Sequence, residues 1–508
     1  MTMNPTRPST LVELIATGAD DAPALSAPGV SPLTYGNLRA LVAKTRADLN
    51  AHGIGRNDRV ALVLPNGPEM AAAFIAVASS ATAAPLNPAY KSDEFKFYLD
   101  DLHAKALIVE EGSTSSAIEV ARELGITLVI LQPQPTLGAG AFTLRAEGHG
   151  ACTAGAAEPD DIALILHTSG TTSRPKIVPL SQRNVSVSAG NIAATLAFGA
   201  PDCGLNIMPL FHIHGLMAGV LAPLSAGGSV FCTPGFNALR FFGWMEACKP
   251  TWYTAVPTMH QAILARATAN RDIIARHPLR FIRSSSSSMP PQVIAELGKT
   301  FGTAVVEAYG MTEAAHQMAS NPLQGKRIPG SVGLAAGPEV AIMDDDGGLL
   351  PPDKTGEIVI RGANVTAGYE ANPAANASAF TQGWFRTGDQ GTIDAEGYIS
   401  LTGRLKEIIN RGGEKISPRE VDEVLMDHPA IRQAVVFAVK HDKLGEDVAA
   451  VVVLREGTSA TEAEIKHFVG AKLAAYKVPR KVLFMEQIPL GATGKLQRIG
   501  LAAKLGLE

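Results

Sequence analysis

"DIALILHTSGTTSRPKIVPLSQRNV", residues 161–185, is the stretch on which the fold turns. An apolar run, Ile162 to Leu166, ends in Thr168-Ser169-Gly170-Thr171-Thr172-Ser173; then come Lys176, a second apolar run "KIVPL", and a helical pattern capped by Ser181. Hydroxyls, open backbone amides and a lysine together suit phosphate oxygens. The GxxxxGK[ST] pattern is absent, and the loop is followed by strand rather than helix, so no helix N-terminus faces the phosphates as in P-loop NTPases. The segment predicts a phosphate-binding loop between two strands of another nucleotide-binding fold.

Working outward, short apolar runs such as "RVALVLP" and "KALIVEE" alternate with helical patterns such as "GPEMAAAFIAVASS". This predicts an α/β fold with mostly parallel sheets. From about residue 340 the texture turns to short strands and glycine turns, "GEIVIRGANVTAGY" and "GTIDAEGYISLTGR", predicting a small β-rich subdomain over about 340–403. Beyond Arg404 a compact tail combines a helix in "SPREVDEVLMDHP", strands in "AVVFAVK" and "DVAAVVVLRE", and a capping box of Thr461 with Glu464.

Composition excludes other classes. The 508 residues are 46% hydrophobic and 18% charged, far from the composition of a disordered chain, and long enough for two to four domains of about 100–200 residues each. A net charge of −4 gives no basic field for nucleic acid or an anionic membrane, so small molecules are the expected partners. Cys152, Cys203, Cys232 and Cys248 lack CxxC spacing, which fits a reducing compartment. With no signal-peptide run near the N-terminus, no peroxisomal tripeptide in the closing "KLGLE" and no transmembrane stretch, a cytoplasmic location is expected.

Four further stretches follow in order: "EAYGMTE" (307–313), "GWFRTGD" (383–389), "LTGRLKEIINRGGEKISPREVD" (401–422) and "PLGATGKLQR" (489–498). With the 161–185 loop they resemble the adenylate-forming superfamily of acyl-CoA synthetases, nonribosomal peptide adenylation domains and firefly luciferases. The resemblance covers essentially the whole chain. It implies an N-terminal core over 1–403, built of two α/β sheet subdomains and the β-rich one, a hinge at 404–406, and a mobile α+β domain over 407–508. It also implies ATP and coenzyme A as co-substrates, with magnesium held by Glu313.

Residue by residue, the resemblance assigns Thr168, Ser169, Gly170, Thr171, Thr172 and Lys176 to the phosphates, with Thr312 beside them. It assigns Tyr309 to adenine and Asp389 to the ribose hydroxyls, with Glu307, Ala308 and Arg404 also at the nucleotide. Lys495 would bridge the carboxylate and the α-phosphate, a cation between two anions. Lys406 falls at the hinge, and Gly412 and Gly413 in the loop lining a pantetheine tunnel. No carrier domain is encoded, which favours a CoA ligase over an adenylation domain. His212 occupies the family's common histidine or aromatic position.

Three departures concern the acid pocket, which Gly310 also borders. Ser284 to Ser288 replace a segment usually rich in glycine and alanine, and put Ser286, Ser287 and Ser288 at the pocket. His316 replaces something small or apolar, and His214 adds a second imidazole beside His212. Arg283 is a weaker candidate. Hydroxyls and imidazoles suit a short polar acid whose second carboxylate needs donors. The segments "EAYGMTEAAHQMASNPL" and "RSSSSSMP" are most similar to oxalyl-CoA synthetases, so oxalate is the expected substrate. The alternatives are another short polar, dicarboxylic or aromatic acid and, from another class, a catalytically silent nucleotide-binding protein on the same fold. Oligomeric state is not legible.

Overall fold

The computed structural model describes residues 8–146, 150–168, 175–489 and 498–507. It is a mixed α/β protein with two large N-terminal sheets and a smaller C-terminal domain. Ile162–Thr168 and Lys176–Ser181 are antiparallel neighbours at one edge of a seven-stranded sheet whose other described strands include Arg59–Val63, Thr82–Pro85 and Ala106–Glu110. Ser181 caps the next helix, Gln182–Thr195, its Oγ accepting from the Asn184 amide at 3.1 Å. Pro68–Ala78 begins with proline and, beyond Glu69, is apolar on every side, as a helix buried between layers must be.

The second sheet has 14 strands and changes character at one of them. Ala304–Met311 lies parallel to Phe281–Ser284, which is parallel to Trp252–Ala255 and so on to Cys203–Asn206, but antiparallel to His316–Ser320. From there an antiparallel ladder runs through Ser331–Ala335, Ile399–Arg404, Trp384–Ile393 and Gly356–Arg361 to Glu339–Met343. The β-rich texture that the sequence shows from about 340 is therefore the outer end of this ladder, and its strands are continuous with the central sheet. Its first member, His316–Ser320, is buried along its whole length and so lacks the alternation that betrays an antiparallel strand.

The last hundred residues form a five-stranded sheet, from the hairpin Ile409–Arg411 and Glu414–Ile416 to the long pair Ile431–His441 and Gly445–Leu454. It carries its own apolar cores, with Val421, Val436 and Val452 in one and Val435, Phe437 and Val451 in the other. Thr461 and Glu464 form the expected capping box. All four cysteines are free thiols, and no described helix is long and apolar enough to cross a membrane.

Candidate active site

In a parallel sheet, polar groups at the carboxyl ends of the strands are the ones open to a ligand. Here Thr254, Arg283 and Val306 are level across three neighbouring strands, as are Ala255, Ser284 and Glu307 one residue later. Each strand thus turns polar within one residue of its neighbour's level, at Thr254, Arg283 and Glu307, beside the strand at which the sheet changes from parallel to antiparallel.

The turn joining Ala304–Met311 to His316–Ser320 is unusually tight. Ala315 and His316 have φ of +47° and +93°, in a region that costs a residue with a side chain roughly 1–2 kcal/mol. Groups from elsewhere hold it: Asn364 Nδ2 donates to the Ala314 carbonyl, Ser188 Oγ to that of Ala315, and the Thr366 backbone N–H to that of Glu313. At Gly310 a Cβ would lie 1.9 Å from the His316 carbonyl oxygen, so glycine is needed there to let His316 close over the strand.

One cluster contains carboxylates. Tyr309, at the end of the strand, donates its hydroxyl to Asp389 Oδ2 at 2.5 Å, and Arg404 Nε lies 3.1 Å from Asp389 Oδ1. Glu313 is buried, and its Oε1 accepts from the Tyr369 hydroxyl at 2.8 Å, while Lys176 Nζ sits 4.2 Å from the centre of the Tyr369 ring. Burial raises the Glu313 carboxyl above its usual range, opposed by the Tyr369 hydrogen bond and the charges of Arg404 and Lys176. Burial pushes Glu307 up to about 7, opposed by Arg419 and the Met289 amide. Thr168, Ala308 and Thr312 lie on the strand ends and turn around this cluster. Among the described residues no three His, Cys, Asp or Glu side chains converge on one point.

The other cluster has donors and, among the described residues, no acid. His214 Nδ1 is 2.9 Å from Ser286 Oγ, and its Nε2 is 2.7 Å from Thr254 Oγ1 and 3.3 Å from Arg283 Nη1. His316 stacks on His214 with ring centres 4.9 Å apart. Arg283 is fully buried, and its Nη2 donates to Gln317 Oε1 at 3.2 Å. Of the three serines expected here, only Ser286 reaches the histidines, helped by a φ of +75°. Ser287 and Ser288 are exposed, and Ser287 Oγ turns back to the Ser286 carbonyl; Ser284 and Ser285 are buried on other partners. His212 stands at the start of the helix Ile213–Leu216 with its ring 4.8 Å from that of Phe211.

Lys406 is exposed in the short turn Leu405–Glu407. Gly412 and Gly413 form the exposed hairpin turn with φ of +60° and +98°. Ser169, Gly170, Thr171, Thr172 and Lys495 lie outside the described residues. Arg498, which ends the motif containing Lys495, is tied to Asp422 at 2.5 Å and Glu407 at 3.3 Å. Tyr369, Thr254 and Gln317 are not among the residues expected from the sequence. Nothing local marks Tyr369 as the partner of Glu313, but Thr254 is a polar residue inside an apolar strand, a signal that could have been read.

The AMP-binding enzyme model matches residues 12–370, and the AMP-binding enzyme C-terminal domain model matches 420–495. The oxalate–CoA ligase of Arabidopsis thaliana is 45% identical over 96% of this chain and 97% of its own length, and that of Saccharomyces cerevisiae is 42% identical over 87% and 86%. The crystal structure of ATP-bound MatB from Rhodopseudomonas palustris superposes with a TM-score of 0.87 at 29% identity, covering 98% of both chains. A sheet whose parallel strands end at this two-part site, matched along its length by these models and relatives, makes the chain a member of the AMP-binding enzyme family.

Proposed function

We propose that the chain is an oxalate–CoA ligase that consumes ATP and releases AMP and pyrophosphate. The observation that carries the substrate is the donor cluster: two imidazoles, the Ser286 hydroxyl and a buried guanidinium, at the carboxyl ends of the parallel strands. A dianion buried beside a triphosphate needs such donors, each charge-assisted bond contributing roughly 1.5–3 kcal/mol. The curated relatives at 45% and 42% identity, both named for oxalate, support the same reading.

In the first step one carboxylate oxygen bonds to the α-phosphorus and the bond to the β-phosphate oxygen breaks, releasing pyrophosphate. In this reading Tyr309, Asp389 and Arg404 hold the nucleoside, and Thr168, Lys176 and Thr312 lie along the phosphates. Glu313 suits a magnesium ion shared with phosphate oxygens, since it is one buried carboxylate beside Lys176 and Tyr369. Magnesium bound there would neutralise part of the triphosphate charge. Lys495 meets the charge that builds on the α-phosphoryl group. In the second step the thiol sulfur of CoA attacks the acyl carbon, the bond to AMP breaks, and the thiol proton is lost to water. The domain over 407–508 turns about 404–406 between the steps, with Gly412 and Gly413 keeping the thiol's path narrow and open.

The test is acid-dependent pyrophosphate release with oxalate, malonate, acetate, butyrate and benzoate, followed by mass detection of the thioester. Oxalate should give the highest kcat/KM and yield oxalyl-CoA. Preference for benzoate or a fatty acid would overturn the assignment.

A further inference from the structure

Arg283 is fully buried, yet among the described residues it meets no carboxylate: its hydrogen-bond partners are the His214 imidazole and the Gln317 amide oxygen, and its Nε has none. Gln317 is itself oriented, because its Nε2 donates to the Ala336 carbonyl at 3.0 Å and to Thr195 Oγ1 at 3.2 Å, leaving Oε1 for the guanidinium. An isolated charge in such a place is costly unless something pairs with it. Burial accordingly pulls the guanidinium down to about 9. Arginine has donors only, so the His214 nitrogen that faces it must be an acceptor. His214 Nε2 therefore carries the lone pair, which the Thr254 hydroxyl at 2.7 Å also meets, and the ring proton sits on Nδ1, 2.9 Å from Ser286 Oγ. Ser286 accepts that proton in a hydrogen bond, which leaves its own hydroxyl hydrogen for a ligand. Thr254 and Arg283 are level on adjacent strands and reach the imidazole from the same side, so the arrangement belongs to the sheet rather than to a loop.

We infer that Arg283 is a positioning and specificity residue: acting through His214 it sets the donor direction of Ser286, and its unbalanced charge selects acids that bring a second carboxylate. It lies behind the histidine and does not itself touch the acid. The inference deepens the oxalate reading and rests on it for the identity of the acid.

The test compares wild type, Arg283→Met and Arg283→Lys on oxalate and on oxamate, in which one carboxylate is replaced by a neutral amide of the same shape. Arg283→Met should lower kcat/KM for oxalate about tenfold or more, mainly through KM, while oxamate and the KM for ATP change less than about threefold. Arg283→Lys should recover part of the preference for oxalate. Independently, nitrogen NMR of histidine-labelled wild type, with His214 assigned by its loss in His214→Gln, should show Nδ1 protonated and Nε2 bare. Equal losses on oxalate and oxamate, a matching rise in the KM for ATP, a lysine variant no better than methionine, or a proton on Nε2 would each overturn the inference. If Arg283→Met does not fold, the lysine variant and the wild-type tautomer still decide it. Should the wild type ignore oxalate altogether, the proposed substrate falls, while the tautomer still judges the relay because it does not depend on the acid.

Discussion

At one end of the site two carboxylates, Asp389 and Glu313, stand against Tyr309, Arg404 and Tyr369; at the other, Arg283 stands among His214, Thr254 and Gln317 with no carboxylate of the described residues bonded to it. Asp389 and Glu313 at one end and His214 and Arg283 at the other are buried, so both ends carry the cost of desolvated polar groups, but they meet it in opposite ways. The first end is closed on itself, each acid already holding a donor, and can exchange those donors for ribose hydroxyls or a cation. The second has an excess of donors and positive charge that only an anion can balance. The contrast separates nucleotide recognition from acid selection, although the two clusters share the hairpin of residues 304–320.

The largest effect should come from neither cluster. Lys495→Ala is expected to lower acid-dependent pyrophosphate release about a hundredfold or more, while thioester formation from supplied acyl-adenylate and CoA survives. Equal loss of both half-reactions would remove the division between the steps. Next, His316→Val deletes a donor and adds apolar surface at the acid end: the KM for oxalate should rise about tenfold and butyrate should become a substrate, with the KM for ATP unmoved. Asp389→Asn is the mirror experiment, expected to raise the KM for ATP about tenfold and leave the ranking of acids intact. If either variant moves both constants together, the two ends are not separable.

The smallest effect is one of stability. Burial raises the Glu307 carboxyl to about 7, so the folded protein keeps a proton that the unfolded chain releases near pH 4.5. Wild-type stability should therefore fall as pH rises from about 4.5 through about 7 and level off above that, by about 1–3 kcal/mol at most. Glu307→Gln removes the term. Its Tm relative to wild type should be higher at about pH 8 than at about pH 5; an unchanged difference would show that Glu307 ionises as it does in the unfolded chain.

Much of this was legible in the sequence, and what was not has a physical reason. The loop between two strands at 161–185, the capped helix after it and the capping box at Thr461 are local patterns set by neighbours a few residues apart. The single sheet that joins the parallel strands to the β-rich stretch depends on the Met311–His316 turn, where two residues other than glycine take positive φ, and no local rule predicts that. Five consecutive serines are alike as letters, yet the strand end buries Ser284 and Ser285, the turn at Ser286 delivers one hydroxyl to His214, and the next two face outward. Partners far apart in the chain, Tyr369 with Glu313 and Arg283 with His214, appear only once the strands are in register.

On the oxalate proposal, the acid end recognises a second negative charge. The most direct measurement is the ratio of kcat/KM for oxalate to that for oxamate in the wild-type enzyme, at neutral pH and saturating ATP and CoA. The two acids match in size and differ in the charge of one end. A ratio of about ten or more in favour of oxalate is predicted; a ratio near one, or a preference for oxamate, would contradict it.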